Sequence, residues 1–299
     1  MTTAAATSHA PTQTLLWTAG APAVFVVLWS TGFIAAKAGL PFAEPMTFLA
    51  LRFTLVCAVM LPISLMARAA WPDRTTAIHV AVVGVLMHGA YLGGVFASIA
   101  HGLPAGLSAL IVGLQPVLTA CIVGPLLGER VRPLQWAGFF CGLVGVALVL
   151  AGKLSFDSAS IGAAALSFVA LVGISAGTLY QKRFCAGVDL RTGAVIQYAA
   201  ASLVVLAFAL PAETMRIEWT AQFIVALAWL GLVLSLGAVS LLYLLIRRGA
   251  AAKTASLFYL VPPFTALFAW LLFDETLSAL AMVGMALAAA GVALVQRGG

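Results

Sequence analysis

The sequence predicts an all-α membrane protein of ten transmembrane helices, folded as two inverted repeats of five with both chain ends in the cytoplasm. Three observations predict it. Of 299 residues, 63% are hydrophobic and only 8% are charged, with a mean hydropathy of +1.12. The apolar residues gather in ten stretches, each near the ~20 residues that a helix needs to cross a ~30 Å hydrocarbon layer. The two halves of the chain also carry the same landmarks in the same order. A soluble domain carries about 25% charged residues, so the 24 charges here cannot cover a water-facing surface. That excludes a soluble enzyme and a disordered chain. The net charge of +6 comes with only 15 Lys and Arg in no basic stripe, so no nucleic-acid partner is expected.

The elements follow in chain order. Residues 1–19 are rich in Ala, Thr, Ser and Pro and hold no Lys or Arg. Without a basic leading region they read as a disordered cytoplasmic tail rather than a signal peptide. The expected spans are 20–38, 45–67, 77–100, 104–126, 133–152, 159–181, 191–211, 220–246, 250–272 and 277–296. They divide into a first five-helix repeat over 20–152 and a second over 153–299. The joints are short, as in compact domains. Gly138-xxx-Gly142 and Gly173-xxx-Gly177 let helices approach closely. They are expected to pack this fold rather than a dimer, so a monomer is expected. Cys57, Cys121, Cys141 and Cys185 form no CxxC and read as small packing residues. No metal, disulfide or cofactor is implied.

Orientation comes from the basic residues in alternate joints. Arg68, Arg74, Arg130, Arg132, Lys182, Arg183, Arg191, Arg247, Arg248, Lys253 and Arg297 fall on the side of the termini. Lys37, Lys153 and Arg216 fall on the other. Eleven against three places that side in the cytoplasm.

The repeat has an offset of 145–146 residues. Ser30, Gly32, Lys37 and Glu44 correspond to Ser175, Gly177, Lys182 and Asp189. Leu114, Pro116, Thr119, Glu129 and Gly138 correspond to Leu260, Pro262, Thr265, Glu275 and Gly284. Gly145-Val146-Ala147-Leu148-Val149 recurs as Gly291-Val292-Ala293-Leu294-Val295. A repeat of five spans enters the membrane from opposite sides in its two copies. Such inverted repeats are the architecture of secondary transporters, which expose a midplane site to each side in turn. A pore or a scaffold has less need of it.

The run Trp29-Ser30-Thr31-Gly32-Phe33-Ile34-Ala35-Ala36-Lys37, then Pro45 and Leu51-Arg52-Phe53, resembles the opening of the EamA-type drug/metabolite transporters. Tyr243 to Gly249, Ala255-Ser256-Leu257, Leu260-Val261-Pro262, Asp274-Glu275-Thr276, Gly284 and Gly291 resemble its close. The resemblance covers nearly the whole chain. It implies ten helices with both ends cytoplasmic, and export of amino acids and other metabolites across a bacterial inner membrane. The neutral and aromatic amino-acid exporters are the branch most similar. The second half departs from the pattern, with Gln197-Tyr198 where the first has Arg52-Phe53.

Polar residues at membrane depth mark the expected site. His88 and Tyr91, at i and i+3, share a helix face. Gln115, Trp29, Ser30 and Tyr259 add hydrogen-bonding and aromatic groups. Pro116 and Pro262 interrupt matching helices and free carbonyls one turn earlier. Together they suggest a mostly neutral, aromatic-walled hollow for the zwitterion of an amino acid. Each also has a plainer role, as helix packing, a kink or an interior hydrogen bond. Arg52 either caps carbonyls or binds a substrate carboxylate. Lys37 and Lys182 snorkel to the interface or gate. Glu129 and Glu275 read as structural. All nine acids fall in joints or at helix ends, which argues against a cation exporter. Too few basic groups line the hollow for a sugar-phosphate or nucleotide-sugar carrier. No GxxxxGK[ST] loop or catalytic set is present, so neither a pump nor an enzyme is expected. A carrier of other metabolites, and a non-transporting helical scaffold or pore, remain the alternatives.

Overall fold

A computed structural model describes residues 20–103, 105–151, 161–273 and 277–298. The tail 1–19, Lys153 and Glu275 lie outside them, as does the side chain of Lys37. The helices are α1 (Ala21–Gly39), α2 (Pro45–Met66), α3 (Arg74–Gly84), α4 (Tyr91–Ala100), α5 (Ala105–Val112), α6 (Gln115–Leu127) and α7 (Pro133–Ala151). The second half holds α8 (Ile161–Phe184), α9 (Leu190–Ala212), α10 (Ala221–Ala228), α11 (Val239–Arg248), α12 (Ala251–Ser256), α13 (Val261–Phe273) and α14 (Ala279–Arg297). Among the described residues there is no strand, only an isolated bridge between Ala43 and Ile217. Among the described residues, nine stretches are long and apolar enough to cross a membrane.

Local chemistry sets the ends. Asp73 caps α3 through the Thr76 N–H, Thr220 caps α10 through Phe223, and Ser278 caps α14 through Ala281. Gly128 ends α6 with φ of 69°, a left-handed turn that glycine adopts freely. Pro45 starts α2, where its missing N–H costs nothing.

The two proline stretches are broken rather than merely bent. A turn at Gly113 and Leu114 separates α5 from α6, and Pro116 stands in the first turn of α6. In the second half a 3₁₀ segment, Leu257–Leu260, separates α12 from α13. The expected span 250–272 is therefore three short helices in series, and it is not among the nine. The cause is the lost N–H of Pro262, which the backbone answers by tightening: the Val261 N–H reaches the Phe258 carbonyl instead. That carbonyl therefore keeps a backbone donor despite the proline.

The sequence did not announce two π-helical stretches. Val85–Ala90 joins α3 to α4, and Trp229–Ala238 joins α10 to α11.

Matched elements pack on one another. In the pair α7–α14, a Cβ on Gly138 would lie 2.7 Å from the Gly291 carbonyl oxygen, and one on Gly145 would lie 2.7 Å from that of Gly284. Gly138 corresponds to Gly284, and Gly145 to Gly291, so the contact maps onto itself when the halves are exchanged. The helices run antiparallel there. In the pair α2–α9, Thr54 meets Ser202 at 3.3 Å and Cys57 meets the Val195 carbonyl. Buried apolar side chains form two main clusters. One centres on Phe25, Phe139, Leu242 and Tyr259, the other on Phe48, Phe53, Tyr198 and Phe223. Trp29 and Phe258 touch both. Large apolar side chains such as Leu203, Phe208, Phe168 and Val283 point outward, as a lipid-facing surface requires.

Candidate functional site

α2 and α9 place Arg52-Phe53 and Gln197-Tyr198, the repeat-equivalent pairs, opposite each other at the centre. The Phe53 and Tyr198 rings lie 5.6 Å apart. Glycines let the neighbouring helices close in. A Cβ on Gly84 of α3 would fall 2.2 Å from the Gln197 carbonyl oxygen, and one on Gly231 would meet Leu55 of α2 at 2.8 Å. These approaches set the two π-helical stretches beside the central pairs, His88 from one and Ser235 from the other.

His88 is buried and stacks on Tyr198 with ring centroids 4.2 Å apart and planes 19° from parallel. Its Nε2 lies 3.4 Å from the Tyr243 hydroxyl. That hydroxyl also contacts Gln197 Oε1 at 2.7 Å as donor, and Gln197 Nε2 donates to Gln181 Oε1 at 3.2 Å. Ser235 Oγ donates to the Leu230 carbonyl, five residues back, and accepts from Arg52 Nε at 3.1 Å. The Tyr198 hydroxyl donates to the Ser235 carbonyl.

Arg52 is 5% exposed. Tyr91, Tyr198 and His88 lie within electrostatic reach of it. Among the described residues no acid lies beside it, and Nε is the one guanidinium nitrogen that hydrogen bonds to one of them. The acids lie elsewhere, at the ends of the bundle. At one end Glu213 accepts from the Met46 and Thr47 N–H groups and the Thr47 hydroxyl, each at 2.7 Å. Glu44 there accepts from the Thr214 hydroxyl and the Met215 N–H. At the other end Glu129 accepts from Lys182 at 2.5 Å and from the Ala251 N–H.

The expected residues divide accordingly. His88, Tyr91, Arg52 and Trp29 come together, with Trp29 beside Tyr91 and edge-on to Phe258 at 5.3 Å. Gln115 is buried on α6, where its Nε2 reaches Thr119 Oγ1 at 3.4 Å and its Oε1 has no partner among the described residues. Three others make bonds or contacts within the bundle. The Ser30 hydroxyl donates to the Val26 and Val261 carbonyls, so it ties helices together. The Tyr259 ring packs over Gly142 of α7, and its buried hydroxyl has no partner among the described residues. Lys182 is held by Glu129 and by the Gly249 carbonyl at 2.6 Å, outside the hollow. Tyr198, Gln197, Tyr243 and Ser235 are the central residues that residue-by-residue reading missed. The signal for the first two was present: they occupy the repeat position of Arg52-Phe53. Among the described residues no cluster of His, Cys, Asp and Glu is arranged to hold a metal ion.

Apolar helices that face outward around a polar centre, with no carboxylate there among the described residues, are the build of a multi-pass membrane protein. The comparisons with known proteins agree, and the chain belongs to the EamA-like transporter family, which matches residues 17–151 and again 161–297. The Escherichia coli (strain K12) protein described as "Uncharacterized inner membrane transporter YedA" is 24% identical over 279 residues, covering 93% of this chain and 90% of that one. A "Probable amino-acid metabolite efflux pump" of the same strain is 26% identical over 278 residues, covering 89% and 90%. One solved crystal structure superposes with a TM-score of 0.76 at 22% identity, covering 93% of this chain and 96% of that one.

Proposed function

We propose that the chain is a secondary transporter that exports neutral and aromatic amino acids across the bacterial inner membrane by alternating access. In this reading it has ten membrane segments in two inverted halves, with both termini cytoplasmic. The broken stretch 251–273 serves as the tenth segment. The observation that carries the substrate class is Arg52. A buried guanidinium without a carboxylate partner is costly at membrane depth, and its terminal nitrogens match a carboxylate in a bidentate pair. The stacked His88–Tyr198 rings, with Phe53, Tyr91 and Trp29 nearby, supply an aromatic wall for the substrate side chain. One cationic group suits one carboxylate, and this favours amino acids over phosphorylated sugars or nucleotide sugars. The efflux-pump relative supports the same class, and the YedA relative supports the inner membrane.

The test is competition in liposomes containing the purified protein. Uptake of labelled Phe should saturate, and unlabelled Phe, Met or Thr should compete. 2-Phenylethylamine, which keeps the ring and amine but lacks the carboxylate, should not. Equal competition by the amine would remove the role given to Arg52.

A further inference from the structure

Two helix crossings occupy equivalent places in the halves, α1 with α13 and α8 with α6. Ser30 corresponds to Ser175, and Val261 and Thr265 correspond to Gln115 and Thr119. In the first crossing the polar groups close on one another. Ser30 Oγ shares its proton between the Val26 carbonyl of its own helix at 2.7 Å and the Val261 carbonyl of α13 at 3.2 Å. Thr265 Oγ1 returns a bond to the Ser30 carbonyl at 3.3 Å.

The second crossing repeats the Ser and the Thr, with Gln115 where the first has Val261, but not the same bonds. Ser175 is 1% exposed and its hydroxyl has no partner among the described residues. It does not turn back onto its own helix as Ser30 does. It lies on the face of α8 between Leu171, which packs with Ile111 and Leu118, and Leu179, which packs with Val123. That face is turned to α6. Among the described residues Gln115 Oε1 is also buried without a partner, and Thr119, fully buried, receives only the 3.4 Å bond from Gln115. Unmade hydrogen bonds at buried groups are expensive, so this crossing is held in a strained form while its counterpart is satisfied.

We infer that the two crossings are alternating clasps. In the conformation described, Ser30 and Thr265 close α1 on α13, while Ser175 and Thr119 stand open. In the opposite-facing conformation the halves exchange roles: Ser175 donates to the Gln115 carbonyl, Thr119 donates to the Ser175 carbonyl, and the Ser30–Val261 bond is released. Ser175 and Thr119 are then positioning residues for transport, acting without contact to substrate. The inference rests on the alternating-access reading above, but not on the substrate assigned there.

The experiment measures distances by electron paramagnetic resonance between spin labels across each end of the bundle, with the four native cysteines replaced. Ser30→Ala should shift the ratio of the two conformations about fivefold away from the one described, the effect of one lost hydrogen bond. Ser175→Ala should shift it by a similar factor the opposite way. The double variant should return to the wild-type ratio and, in liposomes, recover flux that each single variant lowers. Thr265→Val and Thr119→Val should repeat the pattern. Shifts in the same direction, a double variant that sums the defects, or a wild-type ratio in Ser175→Ala would overturn the clasp. Reciprocal shifts with no flux of any amino acid would support the clasp and remove the substrate reading instead.

Discussion

At the residue scale, Arg52 carries a conflict between stability and function. Replacing a buried ion with an apolar side chain of similar volume is often neutral or stabilising. Arg52→Met should therefore melt at or above the wild-type temperature while losing carboxylate-dependent transport by tenfold or more; a variant that unfolds, or one that transports normally, contradicts the account. His88→Ala uncovers one face of Tyr198, and ring pairs contribute about 0.5–1.5 kcal/mol beyond area. The KM for Phe should rise severalfold in that variant and the KM for Thr much less, a difference that uptake kinetics measure directly. Part of this centre was legible in the sequence. His88, Tyr91 and Arg52 stood out because polar residues inside apolar runs need a reason. Ser235 and Tyr243 did not, since a serine in a Leu- and Val-rich run and a tyrosine near a helix end have common structural roles. Only the fold shows that the first meets Arg52 and the second meets Gln197.

Elements were read with uneven success for a physical reason. Length and apolarity define a span, and the breaks at Pro116 and Pro262 follow from the missing N–H. The π-helical stretches differ from α-helix by less than one residue per turn, and in a uniformly apolar run such as Trp229–Ala238 no face pattern records that difference. Close crossings are where elements can be tested. Gly84→Val puts side-chain atoms into the Gln197 backbone and should cost about 1–3 kcal/mol of overpacking, or else displace α3 from α9; loss of both melting temperature and flux is the expected outcome. The start of α9 offers a pH test. The Asp189 carboxyl pairs with the Arg191 guanidinium at 2.7 Å and accepts the Arg191 N–H, which holds its pKa below the usual carboxylate range. A depressed folded-state pKa gives stability that is complete above the unfolded value of about 4 and lost as pH falls through the folded value. Asp189→Asn should thus melt below wild type at neutral pH, and the gap should close in acid. A gap that persists unchanged at low pH would assign the stabilisation to another group.

Across the whole molecule, the ends and the centre divide the work. Carboxylates tie the ends, with Glu44 and Glu213 at one and Glu129 with Lys182 at the other. The centre keeps a cation and aromatic rings with no acid near them among the described residues. A pore has no use for tied ends, and a scaffold has no use for a desolvated guanidinium with free donors. The repeat offset pairs Arg52-Phe53 with Gln197-Tyr198, and in the fold the Phe53 and Tyr198 rings lie 5.6 Å apart. It did not foretell that the Ser30 and Ser175 crossings differ, because equal residues in a sequence say nothing about which bonds are closed in one state. An alternating-access carrier must return before it can load again. Counterflow tests this most directly: liposomes preloaded with unlabelled Phe should take up external labelled Phe faster than empty ones, transiently and with saturation. Uptake that rises linearly with concentration and ignores the internal load would contradict it.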